Sequence, residues 1–190
     1  MKVIPTLFKE VFLLNRNHFD DKRGSFHESF NLKHFESQLD LKLNFCQDNF
    51  AYSNKGVLRG LHYQLYPYTQ SKLVSVVKGK VLDVVVDIRK GSPTFGQHLV
   101  QELSFENQLQ LFIPRGFAHG YITLSNESIF HYKVDNYYNP KKEGSIAPND
   151  PELGLDWLIS ERDWIQSDKD LNHPQLKDAI LFDYKQNLYV

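Results

Sequence analysis

The stretch KLVSVVKGKVLDVVVDIRKG, residues 72–91, decides the fold class of this chain. It holds two runs of mostly Val, Leu and Ile on either side of Gly79, and such β-branched runs between glycines are typical of strands. We expect two strands joined by a tight hairpin turn at Gly79. Side chains alternate along a strand, which places Asp83 and Asp87 on the same face as two valines. An inward-facing aspartate needs a partner, so both are predicted to be paired.

The rest of the chain is punctuated in the same way. Glycines and prolines recur between short apolar runs, which favours an all-β sandwich or barrel over alternating strands and helices. Residues 108–125 indicate two strands around a Pro–Gly corner. Helical patterns occur at 31–39 and in a tail in which Ser167 is a plausible N-cap. The first pattern puts three apolar side chains on one face: Leu32, Phe35 and Leu39.

Length and composition fit this interpretation. The chain has 190 residues, of which 41% are hydrophobic and 24% charged, as in ordinary soluble globular proteins. We predict one domain over 1–190, an all-β jelly-roll barrel with a few short peripheral helices. Its core is expected at about 45–140, with N-terminal strands and a helix in 1–44 and a helical or irregular segment in 141–190. Such a barrel commonly holds a small-molecule pocket.

Several function classes are disfavoured. A net charge of −1 gives no basic field for nucleic acid. The single cysteine, Cys46, cannot form an intramolecular disulfide and fits a small buried side chain. The N-terminal residues have neither a signal-peptide pattern nor an apolar run long enough for a membrane span. We therefore expect a cytoplasmic protein that binds neither nucleic acid nor membranes.

The sequence offers acid–base chemistry rather than a covalent, redox or metal mechanism. It lacks GxSxG, P-loop and GxGxxG motifs. Its eight histidines are not clustered at metal-ligand spacing. His62 in VLRGLHYQ could act as a base near neutral pH, and Tyr132 could return a proton as a weak acid. Lys72 could stabilise an oxyanion, and Arg23 and Arg59 could hold phosphates.

Each of these residues also fits an ordinary structural role, so the residues alone lead no further than a β-barrel with a polar pocket. Arg59 and His62 have an odd spacing, which on a regular strand would place them on opposite faces. If both line one pocket, a bulge or bend near Gly60 must turn one of them.

Seven blocks, in order, carry a resemblance over nearly the whole chain. They are DDKRGSFHESF (20–30), FCQDNFAYSNKGVLRGLHYQ (45–64), KLVSVVKGKVLDVVVDIRKGSPTFGQ (72–97), LFIPRGFAHGYITLSNES (111–128), YKVDNYYNP (132–140), NDPELGLDW (149–157) and SDKDLNHPQL (167–176). With them the sequence resembles the dTDP-4-dehydrorhamnose 3,5-epimerase family. The resemblance implies a cupin-type jelly roll, a homodimer, and no cofactor or metal. It also implies dTDP-4-dehydro-6-deoxy-D-glucose as the substrate, which is converted to dTDP-4-dehydro-L-rhamnose.

The resemblance also implies roles for single residues. His62 would be the base, Asp170 would hold and polarise it, Tyr132 would be the acid on the opposite face, and Lys72 would stabilise the enolate. Tyr138 would stack on thymine. The remaining positions expected to contact the substrate are Arg23, Glu28, Gln47, Asp48, Asn49, Arg59, His119, Glu143 and Lys169, together with Lys72.

Two points stay open at this stage. Asp163 is a rival to Asp170, whose spacing from Ser167 also fits a purely structural cap. The chain reads GSIAPNDP at 144–151, where the family commonly has a tryptophan before NDP, and this departure puts the role of Glu143 in doubt.

Other functions are weighed against the double epimerase. A single-site epimerase or a ketoisomerase of another dTDP-sugar would share the scaffold, but the presence of Tyr132 favours the double epimerase. A non-catalytic sugar-nucleotide-binding cupin would keep Arg23 and Arg59 but would need neither His62 nor Tyr132. A metal-dependent cupin oxygenase is disfavoured by the missing histidine cluster.

Overall fold

The structure is a computed structural model that describes residues 2–40 and 42–189. Over these residues the secondary structure is mostly β, with one α-helix, α1 (Leu32–Leu39), and four short 3-10 turns. The strands are β1 (Lys2–Pro5), β2 (Phe12–Asn15), β3 (His18–Asp21), β4 (Gly24–His27), β5 (Gln47–Asn54), β6 (Leu58–Gln64), β7 (Lys72–Lys78), β8 (Lys80–Asp87), β9 (Arg89–Lys90), β10 (His98–Ser104), β11 (Leu109–Ile113), β12 (Phe117–Thr123), β13 (Glu127–Val134), β14 (Glu143–Ser145) and β15 (Phe182–Asp183).

Two antiparallel sheets form the jelly roll. One has six strands in the order β1-β2-β11-β7-β13-β5, and the other has five in the order β10-β8-β12-β6-β14. The predicted all-β cupin-type jelly-roll fold is confirmed. Two smaller pairs, the β3–β4 hairpin and the parallel pair β9–β15, lie outside these sheets.

Three apolar clusters follow from the alternation of side chains along the strands. The central cluster lies between the sheets, since it joins residues of β7, β11 and β13 to residues of β8, β10 and β12. A second cluster covers the outer face of the five-stranded sheet with the C-terminal segment, in which Trp157 is buried. A third covers the six-stranded sheet with α1, through Phe35 and Leu39.

The predicted hairpin at Gly79 is wrong. β7 pairs with β11 and β13, whereas β8 pairs with β10 and β12, so the chain crosses from one sheet to the other at Gly79. Gly79 has a φ of 74°, and a side chain there would collide with the carbonyl oxygen of Glu127. The two apolar runs pack face to face between the sheets instead of sharing backbone hydrogen bonds.

Other local predictions fare differently. The Pro–Gly corner is confirmed between β11 and β12. The helix at 31–39 is confirmed and is capped by the Asn31 side chain, although Leu32 is exposed and does not join its buried face. The C-terminal helical pattern forms only 3-10 turns at Asp170–Asn172 and Leu176–Asp178, because Pro174 between them cannot continue a helix.

Both inward-facing aspartates are paired, as predicted. Asp83 lies 2.9 Å from Nε2 of His119, and Asp87 lies 2.8 Å from the guanidinium of Arg89. No helix in the described ranges has the length and apolar character needed to cross a bilayer.

Candidate active site

A cavity opens between the two sheets where β6 and β12 face β7 and β13. It has two adjoining lobes of about 260 and 290 Å³, and both lobes are lined by His62, Lys72, Tyr132 and Lys169. His62 comes from the five-stranded sheet, whereas Lys72 and Tyr132 come from the six-stranded sheet. Ionisable groups on opposite walls therefore face one space.

A β-bulge in β6 brings Arg59 and His62 to the same cavity. His62 lies opposite His119 and Arg59 opposite Tyr121, so β6 has one more residue than β12 between these pairs. Gly60 has a φ of 125°, which favours glycine, and a Cβ there would lie 2.5 Å from Cα of Gly120. The bend predicted near Gly60 is confirmed.

His62 is held by a carboxylate from the C-terminal segment. Its Nε2 lies 2.7 Å from Oδ1 of Asp170, and Oδ2 of Asp170 accepts a hydrogen bond from the Ser167 hydroxyl at 2.9 Å. Burial opposes ionisation of Asp170, but its bonds to His62 and Ser167 keep its pKa below the ordinary value. The rival Asp163 is exposed and faces Arg162 at 3.7 Å. The carboxylate beside His62 is therefore that of Asp170.

Lys72 and Tyr132 face His62 from the opposite wall. Nζ of Lys72 lies 3.5 Å from the carbonyl oxygen of His62. Burial lowers the pKa of Lys72 to about 8, although Asp83 and Glu143 counteract this shift. Burial also raises the pKa of Tyr132, so its phenol keeps its proton at neutral pH.

His119 lies beside this group and forms a second histidine–carboxylate pair with Asp83. Burial lowers the pKa of His119 and raises that of Asp83, so it disfavours the charged form of both. The pair differs from His62–Asp170 in that its carboxylate, Asp83, is fully buried, whereas His119 lines the cavity.

Glu143 also reaches the site, despite the altered loop at 144–151. It begins β14, which pairs with β6, and its Oε1 lies 2.6 Å from Nζ of Lys169 and 3.7 Å from Nε2 of His62. The Tyr138 hydroxyl donates to its Oε2 at 2.6 Å. Burial works against ionisation of Glu143, but Lys169 and Tyr138 lower its pKa. The loop at 144–151 lacks the tryptophan that the family commonly has before NDP. It is held by Trp157, whose indole N–H donates a hydrogen bond to the carbonyl oxygen of Pro148.

Some residues predicted from the resemblance lie elsewhere. Arg23 sits at the exposed tip of the β3–β4 hairpin and is paired with Asp21. Glu28 lines a separate hollow beside α1. Asp48 faces away from the cavity, where it is paired with Lys133 at 2.6 Å. Within one chain, the structure therefore does not bring these three residues to His62.

The other two residues of the QDN block share the cavity-side face of β5. Gln47 and Asn49 have the same alternation as Ala51, which lines the cavity, and the Gln47 amide donates to Asn49 at 2.8 Å. The alternating pattern of a strand explains why Asp48, between them, points outward.

The sequence interpretation missed the aromatic lining of the cavity and a histidine packed against His62. Tyr121 and Phe130 stack at 4.0 Å between ring centres and line the cavity, and alternation from His119 and Tyr132 could have revealed both. His173 packs edge-on against His62 at 5.0 Å between ring centres. No sequence signal marks His173, because its contact depends on the path of an irregular segment.

The described residues include one group with metal-ligand geometry. Ligand atoms of His62, Asp170 and His173 all lie within 4.8 Å of one another. Two imidazoles and a carboxylate are donors suited to a transition metal.

The two-sheet jelly roll, with ionisable side chains from both sheets around one cavity, defines a cupin-type enzyme. The family model described as dTDP-4-dehydrorhamnose 3,5-epimerase matches residues 5–178. The chain belongs to this family.

Known relatives match this chain over almost its full length. The dTDP-4-dehydrorhamnose 3,5-epimerase of Shigella flexneri is 48% identical over 182 residues, which cover 96% of this chain and 99% of the relative. A crystal structure of dTDP-6-deoxy-D-glucose-3,5-epimerase from Legionella pneumophila in complex with dTDP-4-keto-L-rhamnose is 46% identical, with a TM-score of 0.93, and covers 97% of this chain and 99% of the other. A 3'-monoepimerase from Streptomyces bikiniensis in complex with dTDP-quinovose is 32% identical, with a TM-score of 0.86, and covers 91% of this chain and 87% of the other.

Proposed function

We propose that this protein converts dTDP-4-dehydro-6-deoxy-D-glucose to dTDP-4-dehydro-L-rhamnose by inverting C3 and C5 of the sugar. Family membership supports the reaction class, and the relative from Legionella pneumophila was crystallised with dTDP-4-keto-L-rhamnose. The observation that carries the proposal is the cavity in which His62 and Tyr132 face one space from opposite sheets.

The reaction needs two proton-transfer groups. The C4 ketone acidifies the hydrogens at C3 and C5, because the electron pair of a broken C–H bond can move onto the ketone oxygen. Inversion requires that a base removes the proton from one face and an acid returns a proton to the other. One group doing both would tend to restore the original configuration. The net reaction is an isomerisation in which no electrons are gained or lost.

We assign the base to His62. The hydrogen bond from Nε2 to Asp170 fixes the tautomer, which leaves the Nδ1 lone pair to take the sugar proton. The Asp170 carboxylate then stabilises the imidazolium that forms. Lys72, still largely protonated at neutral pH, would stabilise the negative charge on the ketone oxygen.

We assign the acid to Tyr132. A phenol with a raised pKa keeps the proton that it must donate. A solved variant of the Streptomyces bikiniensis monoepimerase replaces a histidine by asparagine and a tyrosine by phenylalanine. These two residues have the same separation in sequence as His62 and Tyr132. That correspondence supports the two assignments.

The nucleotide would bind along the open side of the cavity. Arg59 and Lys169 line the lobe of about 260 Å³ and provide positive charge for the phosphates. Tyr138 is half-exposed beside Glu143 and offers a face for the thymine. His119, Gln47 and Asn49 would complete the polar contacts with the substrate.

We also propose a homodimer. The β3–β4 hairpin exposes Phe19 and Phe26 as a cross-strand pair with 64% and 71% of their surface accessible, and exposed apolar pairs favour a protein contact. Arg23 lies at the tip of the same hairpin and Glu28 follows it. The family resemblance assigns both to the substrate, a role that they could fill in a second copy of the chain.

Deuterium incorporation tests the reaction and the two roles. Incubation of the substrate in deuterated water should label C3 and C5 and produce the inverted sugar. We expect His62→Asn to lower both exchange and inversion by about 10²- to 10⁴-fold, the usual contribution of a general base. Tyr132→Phe should retain exchange better than inversion, and the exposed Tyr137→Phe should behave as wild type. Equal losses of exchange and inversion in Tyr132→Phe would contradict a separate acid.

A single-site epimerase is the second candidate, because a monoepimerase shares the fold at 32% identity. The same labelling experiment separates the candidates. Label at only one carbon, together with inversion at only that carbon, would favour the single-site enzyme.

A further inference from the structure

We propose that His62, Asp170 and His173 form a binding site for one transition-metal dication such as Zn²⁺, and that the bound ion inhibits the enzyme. The ion is not a cofactor in this proposal, because it would occupy the nitrogen through which Asp170 holds the base. Metal binding stands independently of the proposed function, whereas the inhibition rests on it.

The first support is the geometry of the donors. Nε2 of His62 and Nε2 of His173 lie 2.7 and 3.4 Å from the same atom, Oδ1 of Asp170. Zinc ligands at about 2.1 Å in a tetrahedral arrangement lie about 3.4 Å from one another. The His173–Asp170 edge already has this length. The His62–Asp170 edge must open by about 0.7 Å, and the two histidine nitrogens, which lie within 4.8 Å of one another, must settle at about 3.4 Å. The cavity beside the His62 ring leaves that side chain room to rotate.

The second support is the state of His173. Only 3% of its side chain is accessible, and neither ring nitrogen has a hydrogen-bond partner within the described part of the chain. The ring interacts electrostatically with the backbone of Ile146 and with Oδ1 of Asp170, 3.4 Å from Nε2, but neither contact has the geometry of a normal hydrogen bond. A buried imidazole normally finds a partner, since an unpaired polar group is costly to bury. A cation coordinated by Nε2 would supply one.

The surroundings suit a dication. Oδ2 of Asp170 accepts from the Ser167 hydroxyl, which orients the carboxylate as outer groups commonly do around metal ligands. Oε1 of Glu143 lies 3.7 Å from Nε2 of His62 but is paired with Nζ of Lys169 at 2.6 Å, so solvent would fill the remaining coordination position. Imidazole and carboxylate donors favour Zn²⁺, whereas Mg²⁺ and Ca²⁺ prefer oxygen ligands alone.

Inhibition would follow from the tautomer of His62. Coordination of Nε2 displaces the proton that forms the hydrogen bond to Asp170. The neutral ring then carries its proton on Nδ1. The lone pair that would remove the sugar proton is no longer available. Deuterium exchange, the step that needs the base, should therefore stop when the ion binds.

The binding test uses chelator-treated full-length protein titrated with Zn²⁺ against a chromophoric chelator. We expect one Zn²⁺ per chain. His173→Leu should lower the affinity by more than the roughly 10-fold that loss of an outer supporting group costs, because His173 is itself a ligand in this site. His173→Asn keeps a polar but smaller side chain without an imidazole nitrogen, and it should show the same loss if the leucine variant folds poorly. His18→Ala is the control, because His18 faces Asp20 at 3.6 Å in an exposed histidine–carboxylate pair.

The outcomes separate the two proposals. Zn²⁺ should abolish deuterium exchange at one equivalent, EDTA should restore it, and Mg²⁺ should have no effect. Unchanged Zn²⁺ affinity in both His173 variants would mean an adventitious ion only and would overturn the site, as would the absence of binding in the wild type. Tight, His173-dependent binding by a protein without epimerase activity would instead overturn the proposed function and leave the metal site standing.

Discussion

His62 shows how much a single residue depends on its neighbours. Its ring is about one quarter exposed, and a half-buried histidine on a strand is usually structural. The Asp170 carboxylate at 2.7 Å and the lysine and tyrosine on the opposite wall change that interpretation. A base of this kind is defined by its orienting partner, which in this chain comes from a segment far away in sequence.

We expect Asp170→Asn to lower the turnover rate by at least about 10²-fold. The amide cannot stabilise the imidazolium as the carboxylate does, and it can hold the wrong tautomer. Asp163→Asn is the matched control, because Asp163 is an exposed aspartate on the same C-terminal segment. Steady-state rates of the two variants provide the measurement. A comparable loss in Asp163→Asn would contradict the assignment of Asp170.

Lys72 should set the alkaline limb of the activity profile. Its pKa of about 8 means that its positive charge is lost as the pH rises through 8, so the turnover rate should fall above that pH. Lys72→Arg keeps the charge to far higher pH and should remove this limb, even if its rate at neutral pH is lower. A limb that persists near pH 8 in Lys72→Arg would assign it to another group.

Unfolding would not explain that loss of activity. The pKa of Lys72 is lower in the folded state than its ordinary value of 10.5, so the unfolded chain binds more protons between about pH 8 and 10.5. The contribution of Lys72 to stability therefore increases with pH in this window. Between about pH 8 and 10.5, activity should therefore fall while the contribution of Lys72 to the free energy of unfolding rises. Denaturant titrations of wild type and Lys72→Met at several pH values measure that contribution.

At the scale of the element, the bulge in β6 is what lets one strand supply both Arg59 and His62. Leu58 and Leu61 both pack in the apolar cluster on the outer face of the five-stranded sheet. Arg59 and His62, which follow them in sequence, both face the cavity. The odd spacing in VLRGLHYQ was enough to predict an irregularity, because a regular strand cannot place both side chains on one face.

We expect Gly60→Ala to destabilise the protein more than Gly24→Ala. Both glycines have a φ of 125°, so both variants carry a backbone strain of about 1–3 kcal/mol. A Cβ at Gly60 would also clash with Gly120 and His119, whereas a Cβ at Gly24 meets nothing within 4 Å. That clash should add about 1–3 kcal/mol. Urea unfolding checks this, and equal losses would show that β6 can relax around the added methyl group.

The crossing at Gly79 shows that the alternation of side chains predicts the faces of a strand but not its pairing partner. Alternation correctly assigned both faces of β8, because each face is buried in a different cluster. The same apolar runs fit equally well as paired strands or as strands packed from opposite sheets. Which of these forms is decided by β11, β12 and β13, whose positions depend on long-range pairing.

At the scale of the whole molecule, the proposed dimer can be tested by mass. Light scattering after size exclusion should give about twice the chain mass of 22.3 kDa. Replacement of Phe19 and Phe26 by serine should shift the equilibrium towards the monomer, since both are exposed on the β3–β4 hairpin. Ile180→Ser, which changes a similarly exposed residue away from the hairpin, is the control. A monomeric wild type would contradict the dimer.

The sequence by itself determined the all-β class, the inward-facing aspartates and, through its ordered blocks, the family. These depend on local alternation and on residue identity, which are written directly in the chain. Tertiary structure alone decided that β7 and β8 belong to different sheets and that Asp170 rather than Asp163 meets His62. It also decided that Asp48 faces outward and that His173 packs against His62. Such contacts join residues far apart in sequence, and their geometry is fixed only when both sheets and the irregular C-terminal segment pack together.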